Sequence, residues 1–418
     1  MPHADRVIYH ADMNAYFASV EELFCPELRN VPMAICGDPK SRRGIIVAKN
    51  EKAKAFGVKT AETIYQALRK CPNLVLRPAR HHEYDAFCEK ANAVYGQYTD
   101  LLERASIDES YLDVTRSLYL FGGDALRLAH EIRERIYKEL GLTISVGVSY
   151  NKFFAKMASD MKKPNAVTHL SRENFKEKLW PLPIGEMHMV GKAGEAALRS
   201  MGVRTIGDLA QADLDTIVGK LGKYGESLHA NANGLDTSPV VPPEQTPAAQ
   251  SIGKHNTFKR DLTTRADMKV AIQALADMVA TSLRREGVKC MAVQLTIKDP
   301  AFAVITRQKS LPTATWLAAD LATACMELID THWKAMKPVR LLAVTAMKLV
   351  PKDKVVEQVT LLDSADDIAA REKREKLEQT MDRIREKYGM ESILTAGVAF
   401  NDIGIHDHHE ALEDEEKP

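Results

Sequence analysis

Residues 10–21 read HADMNAYFASVE. The apolar run Val7-Ile8-Tyr9 leads into this stretch as a strand, and from Asn14 or Ala15 the pattern turns helical. Asp12 therefore stands at the mouth of a strand, with two rings, Tyr16 and Phe17, close behind it. A carboxylate in that place has two uses. It can cap the helix that follows, or it can be one part of a cation site completed from elsewhere, since a single carboxylate holds Mg²⁺ weakly.

The best partner is SIDESYLDV, residues 106–114, which reads as a strand or one arm of a hairpin. Asp108 and Glu109 sit there between Ile107 and the apolar pair Tyr111-Leu112. Neighbouring side chains on a strand point to opposite faces, so two adjacent acids converge only at a hairpin tip or a bulge. The preceding LLERAS is polar enough for one. Brought together, Asp12, Asp108 and Glu109 repel one another unless cations lie between them. With Mg²⁺ bound they make a site for in-line phosphoryl transfer, its two ions about 3.5–4 Å apart. The same residues serve equally as a helix cap and a turn, and spacing does not choose.

The chain has 418 residues, 45% hydrophobic and 27% charged, enough for two to four packed domains. Its six cysteines are scattered without a CxxC pair, which argues against a disulfide framework or a zinc site and suits a reducing cytosol. No run is long enough to span a bilayer and the start MPHADRVIYH lacks a signal-peptide core, so a cytoplasmic location without membrane contact is expected. The net charge of zero hides a segregation: residues 251–350 carry 15 Lys+Arg against 8 Asp+Glu, whereas residues 351–418 carry 10 against 18. The first segment suits a polyanion and the second does not.

Along the chain, residues 82–103 read as a helix. A second helix, GDALRLAHEIRERIYKEL (123–140), places Leu126, Ala129, Ile132 and Ile136 on one face, and Gly141 ends it. TISVGVS (143–149) is a buried strand, and NKFFAKMASDM (151–161) is a helix stopped at Lys163-Pro164-Asn165. Strands and helices alternate as in a split βαβ sheet with helices on one face. Residues 176–238 are short helices separated by glycines, and DTSPVVPPEQTPAAQ (236–250), with four prolines, is a tether. Residues 251–350 form a second α/β module. Beyond it come an acidic loop, a Glu/Lys/Arg-rich helix over 369–388 and a charged end.

Four blocks, DMNAYFASVE (12–21), GIIVAKNEKAKAFGVK (44–59), ASIDESYLDVT (105–115) and SVGVSYNKFFAKMASDMKKPN (145–165), resemble in order the signature blocks of Y-family DNA polymerases. The nearest type is the bacterial DinB group, and SIGKHNTFKRDLTT (251–264) resembles the start of its little finger. The resemblance runs from about residue 6 to residue 350. It implies an α/β (α+β) right-hand polymerase: a ferredoxin-like palm (1–18 and 80–175), small fingers (19–79), a helix-hairpin-helix thumb (176–240), a linker (241–250), a separate α/β little finger (251–350) and a C-terminal tail (351–418).

The resemblance also implies roles. Asp12 and Asp108 fall on the family's metal-binding aspartates, Glu109 on its catalytic glutamate, and Met13 on the position whose backbone carbonyl borders the metals. Phe17 falls on the steric gate beside the incoming sugar, with Tyr16 next to it. Lys163 falls on the lysine that reaches the triphosphate. Lys156 lies on the same helix without an assigned role. Two departures stand out. Asn14 replaces the second acid of the usual Asp-x-Asp. Glu51 and Lys54 replace the tyrosine and arginine that bind the β- and γ-phosphates, so Lys54 keeps the charge but loses the bidentate fork. Glu51 then either pairs with Lys49 or Lys54, or weakens nucleotide binding. In the thumb hairpin, Ala193 stands where a second glycine is common. In the tail, Gln358-Val359-Thr360-Leu361-Leu362 resembles the Gln-x-x-Leu-(Phe/Leu) peptide that docks into the bacterial sliding clamp.

The expected protein is therefore a monomeric, low-fidelity translesion DNA polymerase. It uses two Mg²⁺ ions, dNTPs and primer-template DNA, and it is tethered to the clamp through Gln358, Leu361 and Leu362. Two alternatives stand beside it: a non-catalytic scaffold on the same fold, and a nucleotide cyclase with a palm-like domain.

Overall fold

The computed structural model describes residues 6–37, 44–246, 248–333, 337–355, 365–389, 392–399 and 401–405. The proposed clamp peptide, 358–362, lies outside them. Contacts divide the chain into two units that part after Thr246.

In the first unit the opening strand β1 (Ile8–Met13) is buried along its whole length, and helix α1 (Tyr16–Phe24) follows. Ala15 holds the N-cap position with no side-chain hydrogen bond, so Asp12 does not cap this helix. Next come β2 (Met33–Cys36), β3 (Ile46–Lys49), α2 (Glu51–Ala55), α3 (Ile64–Lys70) and β4 (Val75–Pro78), a small subdomain on a three-stranded sheet ordered β3-β2-β4. Ile46, Ala53, Val58, Ile64 and Ala67 form its core.

Helix α4 (His81–Tyr95) is shorter than the 82–103 read from the sequence. Gly96 ends it. Strand β5 (Leu102–Arg104) then pairs with β6 (Glu109–Asp113), Leu102 opposite Leu112, and strand pairing claims residues that local periodicity gave to a helix. The unit continues with α5 (Ala125–Leu140), closed by Gly141 in the left-handed region (φ 70°), then β7 (Ile144–Ser149), α6 (Lys152–Met161) and β8 (Val167–Leu170). The main sheet is ordered β5-β6-β1-β7-β8, antiparallel except for the β7-β8 pair that α6 connects.

Tyr9, Ala11 and Met13 of β1 face α4 and α5, where Leu128, Ala129, Ile132 and Ile136 pack against them. Leu126, expected on that face, is 40% exposed, and Leu128 takes its place. The expectation that all helices share one face also fails. Helix α6 packs on the opposite face, over Gly147, where any side chain would run into the Ala155 carbonyl and the Ser159 amide. The sheet is thus clad on both sides, and α6 roofs the face that carries Asp12.

The unit ends with α7 (Phe175–Leu179), α8 (Lys192–Ser200), α9 (Ile206–Gln211) and α10 (Leu214–Ala232), the last broken at Gly222. They surround a core of Phe154, Phe175, Leu198, Ile206, Leu209 and Leu228. Gly191 caps α8, and Ala193 lies in its first turn.

The second unit contains β9 (Ser251–Leu262), α11 (Arg265–Arg285), β10 (Val288–Lys298), β11 (Val304–Thr315), α12 (Ala318–His332) and β12 (Val339–Pro351). Its antiparallel sheet is ordered β11-β10-β12-β9, with α11 and α12 over one face. Thr264 and Asp267 form a capping box at the start of α11. The charged helix is α13 (Ala365–Tyr388), and it packs on this unit. Arg284, almost fully buried, pairs with Glu378 and Asp382, and Arg385 pairs with Asp277 at 2.6 Å. Val398, Ile403 and Ile405 enter the same apolar core.

Candidate active site

Adjacent strand ends build the site. In the β1–β6 ladder Asp12 stands opposite Glu109, and the Met13 amide donates to the Asp108 carbonyl at 3.0 Å. Side chains alternate along a strand, so His10 and Asp12 share the face that α6 covers. Asn151 caps α6 by accepting from the Phe154 amide. From there Lys156 and Asp160, four residues apart, lie on one side of the helix, and Lys163 follows just beyond it.

Lys156 is the hub. Its ammonium, on a side chain only 8% exposed, lies 2.8 Å from Glu109, 3.2 Å from Asp12 and 3.1 Å from Asp160. Lys163 bridges Asp12 at 2.7 Å and Asp160 at 2.9 Å from a more open position. His10, fully buried, reaches Ser159 Oγ with Nδ1 (2.8 Å) and Glu109 Oε2 with Nε2 (3.3 Å). The sequence reading left His10, Ser159 and Asp160 out. Two of them have a signal in the spacing, since position 10 shares a strand face with position 12 and position 160 a helix face with position 156, whereas Ser159 meets His10 only through the fold.

Asp108 is placed differently. It sits in the turn before β6, and its carboxylate accepts from Ser106 Oγ at 2.6 Å. The structure therefore brings Asp12 and Glu109 onto one ammonium, and Asp108 to the same strand end with its carboxylate bonded to Ser106. Among the described residues there is no group of three His, Cys, Asp or Glu side chains that could hold a metal ion. Met13 is buried in the core below. Asn14 has a use that an aspartate lacks: it accepts from the Asn165 amide at 2.8 Å and donates to Ser145 Oγ at 3.0 Å, tying β1, β7 and the end of α6 together.

The electrostatics follow from this crowding. The His10 hydrogen bond, with the Lys156 ammonium next, holds the Glu109 carboxyl well below the usual carboxylate range. Burial pushes the Asp12 carboxyl up, against the opposing pull of Lys163 and Lys156. Burial pulls Lys156 down, but Glu109, Asp12 and Asp160 outweigh it, and the amine titrates above its ordinary value. Burial thus outweighs the pull of both lysines on Asp12. Oxygen donors such as these carboxylates are the type that hard divalent cations take.

Beside the acids, Tyr16 is buried, and its hydroxyl donates to the Tyr84 carbonyl. Phe17 is half-buried and stacks on the Tyr84 ring, centroids 4.1 Å apart and planes within 13°. Glu51 and Lys54, both about 60% exposed, pair with each other at 3.2 Å, so the glutamate is neutralised by its own helix neighbour.

A family model described as the impB/mucB/samB family matches residues 11–160, its C-terminal domain matches 249–361, and an IMS family HHH motif matches 172–203. The chain is 44% identical over 401 residues to a DNA polymerase IV of Acetivibrio thermocellus, spanning 96% of this chain and 99% of that one. It is 38% identical over 394 residues to a DNA polymerase IV of Clostridium kluyveri, spanning 94% and 98%. A solved Y-family DNA polymerase chimera, 22% identical, superposes with a TM-score of 0.72 over 82% of this chain and 99% of its own, and it shares the fold. The chain belongs to the impB/mucB/samB family of Y-family DNA polymerases, in the DNA polymerase IV group, and is a nucleotidyltransferase. Its fold is the palm, fingers, thumb and little finger of that class. Among the described residues no helix is long and apolar enough to cross a membrane.

Proposed function

We propose that this chain is a template-directed, low-fidelity translesion DNA polymerase that joins dNTPs to a primer 3′-hydroxyl at the edge formed by Asp12, Asp108 and Glu109. The observation that carries this reading is the convergence of Asp12 and Glu109, from two neighbouring strand ends, on one buried ammonium. Nothing in the sheet's own packing needs two such carboxylates there, and their mutual repulsion is costly without cations. Asp12, Asp108 and Glu109, with the Met13 carbonyl, would hold two Mg²⁺ ions, Asp108 by turning away from Ser106. Bound there, the ions would activate the primer hydroxyl and carry the charge of the departing pyrophosphate. Lys163, one-third exposed and paired with Asp12, would be the cation that meets the triphosphate. Phe17 serves as the gate against a 2′-hydroxyl with Tyr16 behind it, and Lys54 supplies a loose phosphate contact.

The same reading assigns the palm to 1–18 and 80–175, the fingers to 19–79, the thumb to 176–240, the linker to 241–250, the little finger to 251–350 and the tail to 351–418. The enzyme acts in the cytoplasm as a monomer. Its tail peptide, through Gln358, Leu361 and Leu362, docks on the sliding clamp. Alanine at those three positions is expected to remove clamp-stimulated processivity and leave single-nucleotide insertion intact. A primer-extension assay with Mg²⁺ and all four dNTPs tests the whole reading. Templated extension supports it, whereas no turnover indicates a scaffold and a cyclic product indicates a cyclase.

A further inference from the structure

Phe17 does not stand alone. Its ring lies flat on Tyr84, and Tyr84 is fixed at the other end by its hydroxyl, which donates to Glu21 Oε1 at 2.9 Å. Glu21 and Phe17 are four residues apart on α1 and so share a face. One helix therefore grips the tyrosine twice, by a ring on its plane and by a carboxylate on its tip. Glu21 is in turn held by Arg80, which donates to it through Nε at 2.9 Å and Nη2 at 2.7 Å. Arg80 lies over the Phe24 ring, 4.5 Å from its centroid. The Glu21 side chain is only 1% exposed, so a buried charge has been spent here with two partners and no contact to the acid cluster. A planar, bidentate arginine pair is the most directional way to fix a carboxylate. Aromatic stacking alone leaves a ring free to slide, because offset arrangements differ little in energy.

We infer that Glu21, locked by Arg80, is a specificity-determining positioning residue. It fixes Tyr84, and through Tyr84 the height of the Phe17 ring, and so sets how strongly the enzyme rejects ribonucleotides. The inference rests on Phe17 being the sugar gate. The Glu21 carboxylate bonds to Arg80 and Tyr84 and, among the described residues, not to the metal-site acids. Its removal should therefore blur discrimination between sugars more than it slows insertion of a deoxynucleotide.

The test uses the full chain on primer-template DNA and measures kcat/KM for a ribonucleotide and for the matching deoxynucleotide. Glu21→Gln keeps the shape but loses the charged pair with Arg80. Tyr84→Phe keeps the ring but loses the hydroxyl. Each is expected to raise the ribonucleotide-to-deoxynucleotide ratio about three- to ten-fold, the size of one lost buried hydrogen bond. Phe17→Ala raises the ratio further and serves as the reference. If Phe17→Ala raises the ratio while Glu21→Gln and Tyr84→Phe keep the wild-type value, the positioning role is refuted and the gate stands. If Phe17→Ala leaves the ratio unchanged, the gate itself is wrong and this inference fails with it. Should Glu21→Gln not fold, Tyr84→Phe decides alone.

Discussion

Lys156 shows what a single side chain does in this site. Its ammonium lies within 3.2 Å of three carboxylates, so it acts as a resident counter-ion for Asp12 and Glu109. Lys156→Met removes that charge and leaves the buried Asp12 with Lys163 and the partly buried Glu109 with His10. The expected loss is about 3 kcal/mol, in the range for breaking a buried pair. Because the acids are then short of a cation, Mg²⁺ should raise the thermal midpoint of the variant more than that of the wild type. Unfolding scans with and without Mg²⁺ check this, and a variant as stable as the wild type with no added metal response would contradict it. The acids themselves were legible in the sequence, because the blocks around positions 12 and 108–109 keep a recognisable order. Lys156 was visible but without a role, since its partners lie about 50 and 140 residues away in the chain and no local pattern reports them.

Helix α6 carries Lys156, and leads the chain into Lys163, only because β7 makes room for it. Gly147→Ala would place a methyl group in the Ala155 carbonyl and the Ser159 amide, both backbone atoms that cannot swing aside. The expected cost is about 3 kcal/mol or more, together with loss of activity as Lys156 and Lys163 lift off the acids. Thermal unfolding and primer extension read the two effects. This position also explains why the sequence misled about the helices: a glycine has no side chain to mark the face it leaves open. Similarly, QYTDLLE after Gly96 keeps a helix-like rhythm but ends as an edge strand, since pairing with β6 outweighs propensity. Strand β11 was hidden for another reason, being mostly exposed and interrupted by Pro312. Apolar strands such as β7, buried throughout, were read correctly. In the second unit Asp267 braces the start of α11 and also binds Arg260, which reaches Asp402. Arg260 holds the Asp267 carboxyl down at about 2, against an ordinary 3.8. A carboxyl that titrates lower folded than unfolded stabilises fully above its unfolded value and loses that contribution as pH falls through the folded one. Asp267→Asn should therefore cost about 1–2 kcal/mol above pH 5, and its deficit should shrink as the pH falls from about 4 toward 2. Midpoints measured across that range test the sign.

Across the whole chain the uneven charge has an unexpected outlet. The acidic excess after residue 350 is partly spent inside the second unit, where Glu375, Glu378 and Asp382 neutralise Lys289 and Arg284. The tail was legible as a helix, but its docking was not, because its apolar stripe is thin and its grip is ionic. Deleting residues 365–405 would bare Arg284 and strip Val398, Ile403 and Ile405 from the core. Earlier melting and rapid proteolysis of the second unit are the expected results. Acids distant in the chain meet where the ends of β1 and β6 pair, and there they would gather divalent ions. Counting bound Mn²⁺ by electron paramagnetic resonance tests it most directly, using the full chain with a dideoxy-terminated primer-template and a matching dNTP. About two ions are expected in the wild type, and a clear loss in the Asp12→Asn, Glu109→Gln double variant. An unchanged count in that variant would contradict the account.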